Sequence, residues 1–174
     1  LLHASSEAGL GLYVTDGVIE EVSAHIRKCI AYSKAISSGQ VAYGDPPFLF
    51  SVYKMSGRDV ANFGSWLDNF CGSDAPNDLL DYFEEEHSIL SSNLKEYTAK
   101  ADLSIRSAVA EVWHDKRDKK DQRLVALGLD PMDVSTRNRL IDHDVENYVG
   151  VMMRRAENGE NRSTFGYRSW LLTL

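Results

Sequence analysis

Two acids at helical positions carry the clearest chemical potential in this sequence, Glu21 and Asp144. In RLIDHDVENYVGVMMRRA, a helix turning about 100° per residue gathers Ile141, Val145, Tyr148, Val149 and Met152 into one apolar stripe, with Leu140 and Val151 at its edge. Asp144 falls within that edge, between Tyr148 and Val151. An ionised carboxylate there is costly unless hydrogen-bond donors or a cation reach it. Asp142 and Asn147 lie at the stripe's margins, and His143 and Glu146 fall on the opposite, wet side. A plainer reading is that Asp144 only favours the positive end of the helix dipole. Glu20 and Glu21 stand in the first turn of another expected helix, where the same dipole favours acids, and Glu21 is one turn from His25. HDKRDKKDQR supplies a third group, Lys116, Arg117, Lys119, Lys120 and Arg123. Such a run could follow nucleic-acid phosphates or simply solvate a helix end, and Asp115, Asp118 and Asp121 dilute it.

The elements that must position these residues are legible in outline. Residues 1 to 8 read as the tail of a helix stopped by Gly9 and Gly11. Leu12, Tyr13 and Val14 read as a strand, and Thr15 or Asp16 caps the next helix, whose apolar face is Val18, Val22, Ile26, Cys29 and Ile30. Residues 37 to 48 are a loop rich in Ser, Gly and Pro, and Phe48 to Lys54 alternates weakly, as a strand could, but is read as the start of a helix. Val60, Phe63, Trp66, Leu67 and Phe70 mark a further helix, followed by a turn from Gly72 to Asn77. A helix from Asp78 to about Leu94 carries Leu79, Leu80, Phe83, His87 and Leu90 inward; Ile105, Ala108, Val109, Val112 and Trp113 mark another. Ser135 and Thr136 cap the approach to the last helix, and WLLTL closes the chain as a buried strand. Helix–strand units flank a mainly helical stretch from about 35 to 135, the order of an α/β core with a helical insertion.

The 174 residues suit one domain with a real core, and 43% hydrophobic with 26% charged residues is ordinary for a globular chain. No apolar run reaches the roughly 20 residues of a membrane span. Cys29 and Cys71 are two lone thiols, expected as small buried side chains of a reducing compartment, hence a cytoplasmic setting. The net charge of −7 argues against an unselective nucleic-acid coat. It leaves room for an enzyme that cuts nucleic acid, since such sites are built from carboxylates holding cations.

Two segments together resemble a PIN-domain nuclease. LYVTDGVIEEV, residues 12 to 22, is similar to the family's second strand and following helix. On that pattern Thr15 matches the hydroxyl residue and Glu21 the acidic position, with Glu20 a one-residue slip away. LIDHDVENYVGVMMRRA with WLLTL, residues 140 to 174, resembles the family's helix that opens with an Asp and the strand after it. Asp144 matches that Asp and Thr173 the strand threonine. The resemblance implies an α/β fold, a PIN-like parallel sheet with flanking helices, dominated by helix through the insertion at 35–135 of a single domain fragment, 1–174. It further implies metal-dependent hydrolysis of phosphodiester bonds, RNA more than DNA. Glu21 and Asp144 would be catalytic ligands of Mg²⁺ or Mn²⁺, and Thr15, Thr173, Glu20 and Asp142 would be supporting groups. Glu21 follows one strand and Asp144 precedes another, so both suit the strand-end edge of a parallel sheet.

The family's first Asp would precede residue 1 and its fourth acid would lie just past Leu174, so the chain is expected to be an inactive piece of a longer protein, with the other domains of that chain as partners. Two other readings remain open: a PIN-like interaction module without catalysis, and a mainly helical scaffold in which Glu21 and Asp144 are ordinary first-turn acids.

Overall fold

The computed structural model describes residues 2–41, 44–69, 76–160, 168–169 and 171. The chain divides into two compact units, Leu1–Ser92 and Asn93–Leu174. Their boundary falls inside the stretch read from the sequence as an insertion. Helix dominates, and a small parallel sheet accompanies it, as the α/β reading expects.

In the first unit the strands are β1 (Leu12–Val14) and β2 (Ile89–Ser91), paired in parallel with Leu12 beside Ile89, Tyr13 beside Leu90 and Val14 beside Ser91. Parallel neighbours need a crossover rather than a hairpin. Here it runs through α2 (Asp16–Ser37), α3 (Phe48–Met55), a 3-10 turn (Val60–Asn62), α4 (Phe63–Leu67) and α5 (Pro76–His87). A short helix, α1 (Leu2–Glu7), precedes β1.

The helix expected to reach Leu94 stops at His87. Ser88 takes φ 52, a left-handed conformation that ends the helix, and the next three residues leave to pair with β1. Leu90 is therefore a strand residue, 43% exposed, and does not face a core.

The inward face of α2 also differs from the expected one. Ile26 and Cys29 are buried and Val22 and Ile30 pack partly buried against the core as read, but Val18 is exposed and the other buried residues are Gly17, Ile19, Ser23 and Ser33. Those small residues leave little side chain to hold neighbours away, and Ser33 Oγ donates to Val60 O (3.4 Å) at the 3-10 turn. The core joins Ile19, Ile26 and Cys29 to Phe50, Tyr53, Phe63, Leu67 and Leu79. Phe63 stands edge-on to Phe50 (5.2 Å, 74°) and Tyr53 (5.1 Å, 76°), the geometry aromatic quadrupoles prefer. Burial pushes the Cys29 thiol up from its ordinary pKa, as expected of a structural cysteine. Phe70, Cys71 and residues 72–75 of the expected turn lie outside the described residues, and Pro76 and Asn77, expected in that turn, open α5 instead.

The second unit is built from α6 (Lys95–Ala99), α7 (Leu103–Ala126) and α8 (Val134–Glu157). The cap of α8 is Asp133, whose Oδ1 accepts from Thr136 N (2.9 Å), two residues before the expected Ser135. Its buried residues are Ile141, Glu146, Val149 and Gly150. The stripe is thus rotated from the expected one: Tyr148 and Met152 are 48% and 41% exposed, and Glu146 is buried instead of wet. The cause is α6, which sits so close that a Cβ on Gly150 would fall 2.7 Å from Leu94 Cβ. Thr98 Oγ1 donates to Glu146 O (3.2 Å) across the same seam.

Helix α7 is continuous through the basic run and holds no buried residue among those described; Ile105 and Val112 of its expected apolar face are exposed. Charged residues join it to α8 instead. Arg137 Nη1 reaches Asp118 (2.6 Å) and Asp121 (3.7 Å). Beyond α8, the Glu160 carboxylate accepts from Arg168 N (2.7 Å) and Ser169 N (3.0 Å). The strand expected at 170–174 lies almost wholly outside the described residues.

Candidate functional site

In a parallel sheet, ligand chemistry collects where the strands end and their helices begin. At that edge of the first unit, Ser92 N donates to Val14 O (2.8 Å), extending the β1–β2 pairing past its last residues. Thr15 follows directly, extended (φ −96, ψ 159) and buried, and its carbonyl accepts from Ile19 N (3.1 Å) to start α2. Glu20 and Glu21 lie in the first two turns of α2, and both are exposed. The sequence reading of Thr15 as the residue between strand and helix therefore holds.

In the second unit Asp144 sits on α8 at the seam with α7. Its Oδ2 accepts from Arg117 Nη2 at 2.6 Å, and the two side chains are 26% and 21% exposed. The partner that a carboxylate beside a packed surface requires is thus a guanidinium. Asp142, one helical turn before Glu146, is exposed. Thr173, the remaining supporting candidate, lies outside the described residues.

The basic run divides in its partners. Arg117 is committed to Asp144, and Lys119 to Asp115 one turn earlier (2.6 Å). Lys116 Nζ lies 4.2 Å from the centroid of the Trp113 ring, a cation–π contact. Lys120 and Arg123 project from α7 and are exposed. One phosphate candidate, Arg117, and one cation-ligand candidate, Asp144, thus meet in one ion pair.

Among the described residues, no group of three or more His, Cys, Asp or Glu side chains is arranged to hold a metal ion. No described helix is long and apolar enough to cross a membrane.

Two residues that the sequence reading left aside line a groove of the second unit, Arg106 on α7 and Glu146 on α8. A signal for Glu146 was present in the small residue one turn on, Gly150, which marks a close helix approach. Arg106 had no comparable signal. Comparison with protein-family models, curated proteins and solved structures gives no match to this chain.

Proposed function

We propose that the chain is part of a PIN-like, metal-dependent nuclease acting on phosphodiester bonds, RNA in preference to DNA, within a larger protein. The observation that carries this reading is the β1–α2 junction. A strand of a parallel pair passes through buried Thr15 straight into a helix that bears Glu20 and Glu21 exposed in its first two turns. Glu21 and Asp144 are the candidate ligands for Mg²⁺ or Mn²⁺, and their hard oxygen donors suit either ion. Such a cation supplies activation of water and neutralisation of charge on the phosphoryl group. For this chain's own residues, Thr15 and Asp142 would be supporting groups beside the acids of their own units, and Lys116, Lys120 and Arg123 would offer positive charge to a polyanion.

A second reading, a PIN-like interaction module without hydrolysis, is favoured by the Arg117–Asp144 pair. There a guanidinium already answers the acid's need for positive charge. Mn²⁺-dependent cleavage of single-stranded RNA by the full-length protein, its Asp144→Asn variant and its Glu21→Gln variant separates the two. The nuclease reading expects cleavage by the wild type and its loss in both variants. No cleavage leaves the interaction module, and equal cleavage by all three proteins removes Glu21 and Asp144 from the reaction.

A further inference from the structure

Helix α3 (Phe48–Met55) is apolar on two opposite faces, and the core covers only one of them. Phe50 and Tyr53 are turned inward and are each 3% exposed. Phe48, Val52 and Met55 form an i, i+4, i+7 stripe on the other face and are 76%, 46% and 86% exposed. A helix apolar on opposite faces is ordinarily buried on both, and large apolar side chains exposed together mark an interaction surface. Ser51, at the edge of the stripe, donates from Oγ to Pro47 O (3.1 Å), so covering the face strands no hydroxyl.

We propose that two copies of the chain meet on this face, α3 against α3, antiparallel about a two-fold axis. The symmetry of the stripe itself identifies the occupant. A two-fold contact must be self-complementary, and the midpoint between Phe48 and Met55 falls between Ser51 and Val52. Phe48 of each copy then lies against Met55 of the other, a favourable sulfur–aromatic contact, and the two Val52 side chains meet near the axis. The end charges follow the same symmetry. Asp45 stands three residues before Phe48 and Arg58 three after Met55, and both are exposed. In antiparallel register each Asp45 falls at the end that carries the second copy's Arg58, whereas a parallel pair would set like charges together. Arg58 is held at the end of α3 over the Tyr53 and Trp66 rings, 5.9 and 5.5 Å from their centroids. Among the described residues neither it nor Asp45 is in an ion pair. An anionic lipid surface, which would also accept the apolar stripe, is opposed by the net charge of −7. The contact uses neither Glu21 nor Asp144, so it stands apart from the nuclease reading.

The test is sedimentation velocity of the chain from about 1 to about 200 µM. A reversible monomer–dimer equilibrium is expected, with a dissociation constant of about 10 µM, since three side chains and two end charges on each copy fall short of a standard interface. Val52→Asp and Met55→Asp each weaken it at least about tenfold, and circular dichroism stays that of the wild type because both side chains are exposed. Asp45→Arg and Arg58→Asp each weaken it at least about threefold. Their equimolar mixture returns to the wild-type constant, because mixing opposes unlike charges at both ends of the contact. A monomer throughout the range overturns the proposal. So does a dimer that Val52→Asp leaves unweakened, or a mixture that associates no more tightly than either variant alone. If Arg58→Asp loses its fold with the ring contacts, Val52→Asp still decides the matter.

Discussion

Arg117 of α7 and Asp144 of α8 meet through Nη2 and Oδ2 at 2.6 Å, with about three-quarters of each side chain buried. The contact makes one unit of two residues that the sequence assigned to different tasks. Arg117 Nε is buried beside it without an acceptor, so the guanidinium is held mainly by this carboxylate.

If the pair joins the two helices in solution, Arg117→Ala and Asp144→Asn each lower stability. The double variant then loses less than the sum, with a coupling of about 1 kcal/mol. Urea unfolding of the four proteins measures it, and strictly additive losses would show that the contact contributes nothing.

Gly150→Ala should destabilise the second unit although alanine is the better helix former. A Cβ at this position meets Leu94 Cβ at 2.7 Å, and Leu94 O and Thr98 Oγ1 at 3.1 Å each. The helix-propensity gain is about 1 kcal/mol, and overpacking costs about 1–3 kcal/mol. We expect a net loss, with faster hydrogen exchange in the amides of α6. A stabilised variant would mean that α6 shifts away at no cost.

Phe63→Ala tests the core of the first unit. The ring is fully buried and in edge contact with two others, so its removal should cost about 3–5 kcal/mol. Phe63→Leu should cost clearly less. Equal costs for the two would imply that the cavity left by alanine collapses.

Acid should loosen both ends of α8. Burial opposes the charge of Glu160, yet hydrogen bonds from Arg168 N, Asn158 and Ser169 outweigh it and hold the carboxyl below its ordinary value of 4.5. The Thr136 contacts hold Asp133 below its ordinary 3.8. A carboxyl with a lowered folded-state pKa contributes its full stability above the unfolded value and loses it as pH falls through the folded one. The urea midpoint should therefore decline below pH 4.5. Glu160→Gln should lower the midpoint at neutral pH and make its decline in acid shallower. An identical pH profile in that variant would remove Glu160 from the account.

The sequence by itself determined features whose causes lie within one or two turns of chain. Three apolar residues between Gly11 and Thr15 sufficed for β1, and the cap after them for the start of α2. The 3.6-residue period of Ile141, Val145 and Val149 announced α8. Tertiary structure decided what depends on distant partners. The face of α8 that turns inward follows from α6 reaching Glu146 across 48 positions of sequence, a seam that only glycine at 150 permits. The end of α5 at Ser88 is settled by the pairing of Ile89–Ser91 with a strand formed near the start of the unit. That Asp144 needs positive charge was readable from its place on the helix. That the charge belongs to Arg117, 27 positions earlier, was not, because periodicity describes one helix at a time and an ion pair belongs to two.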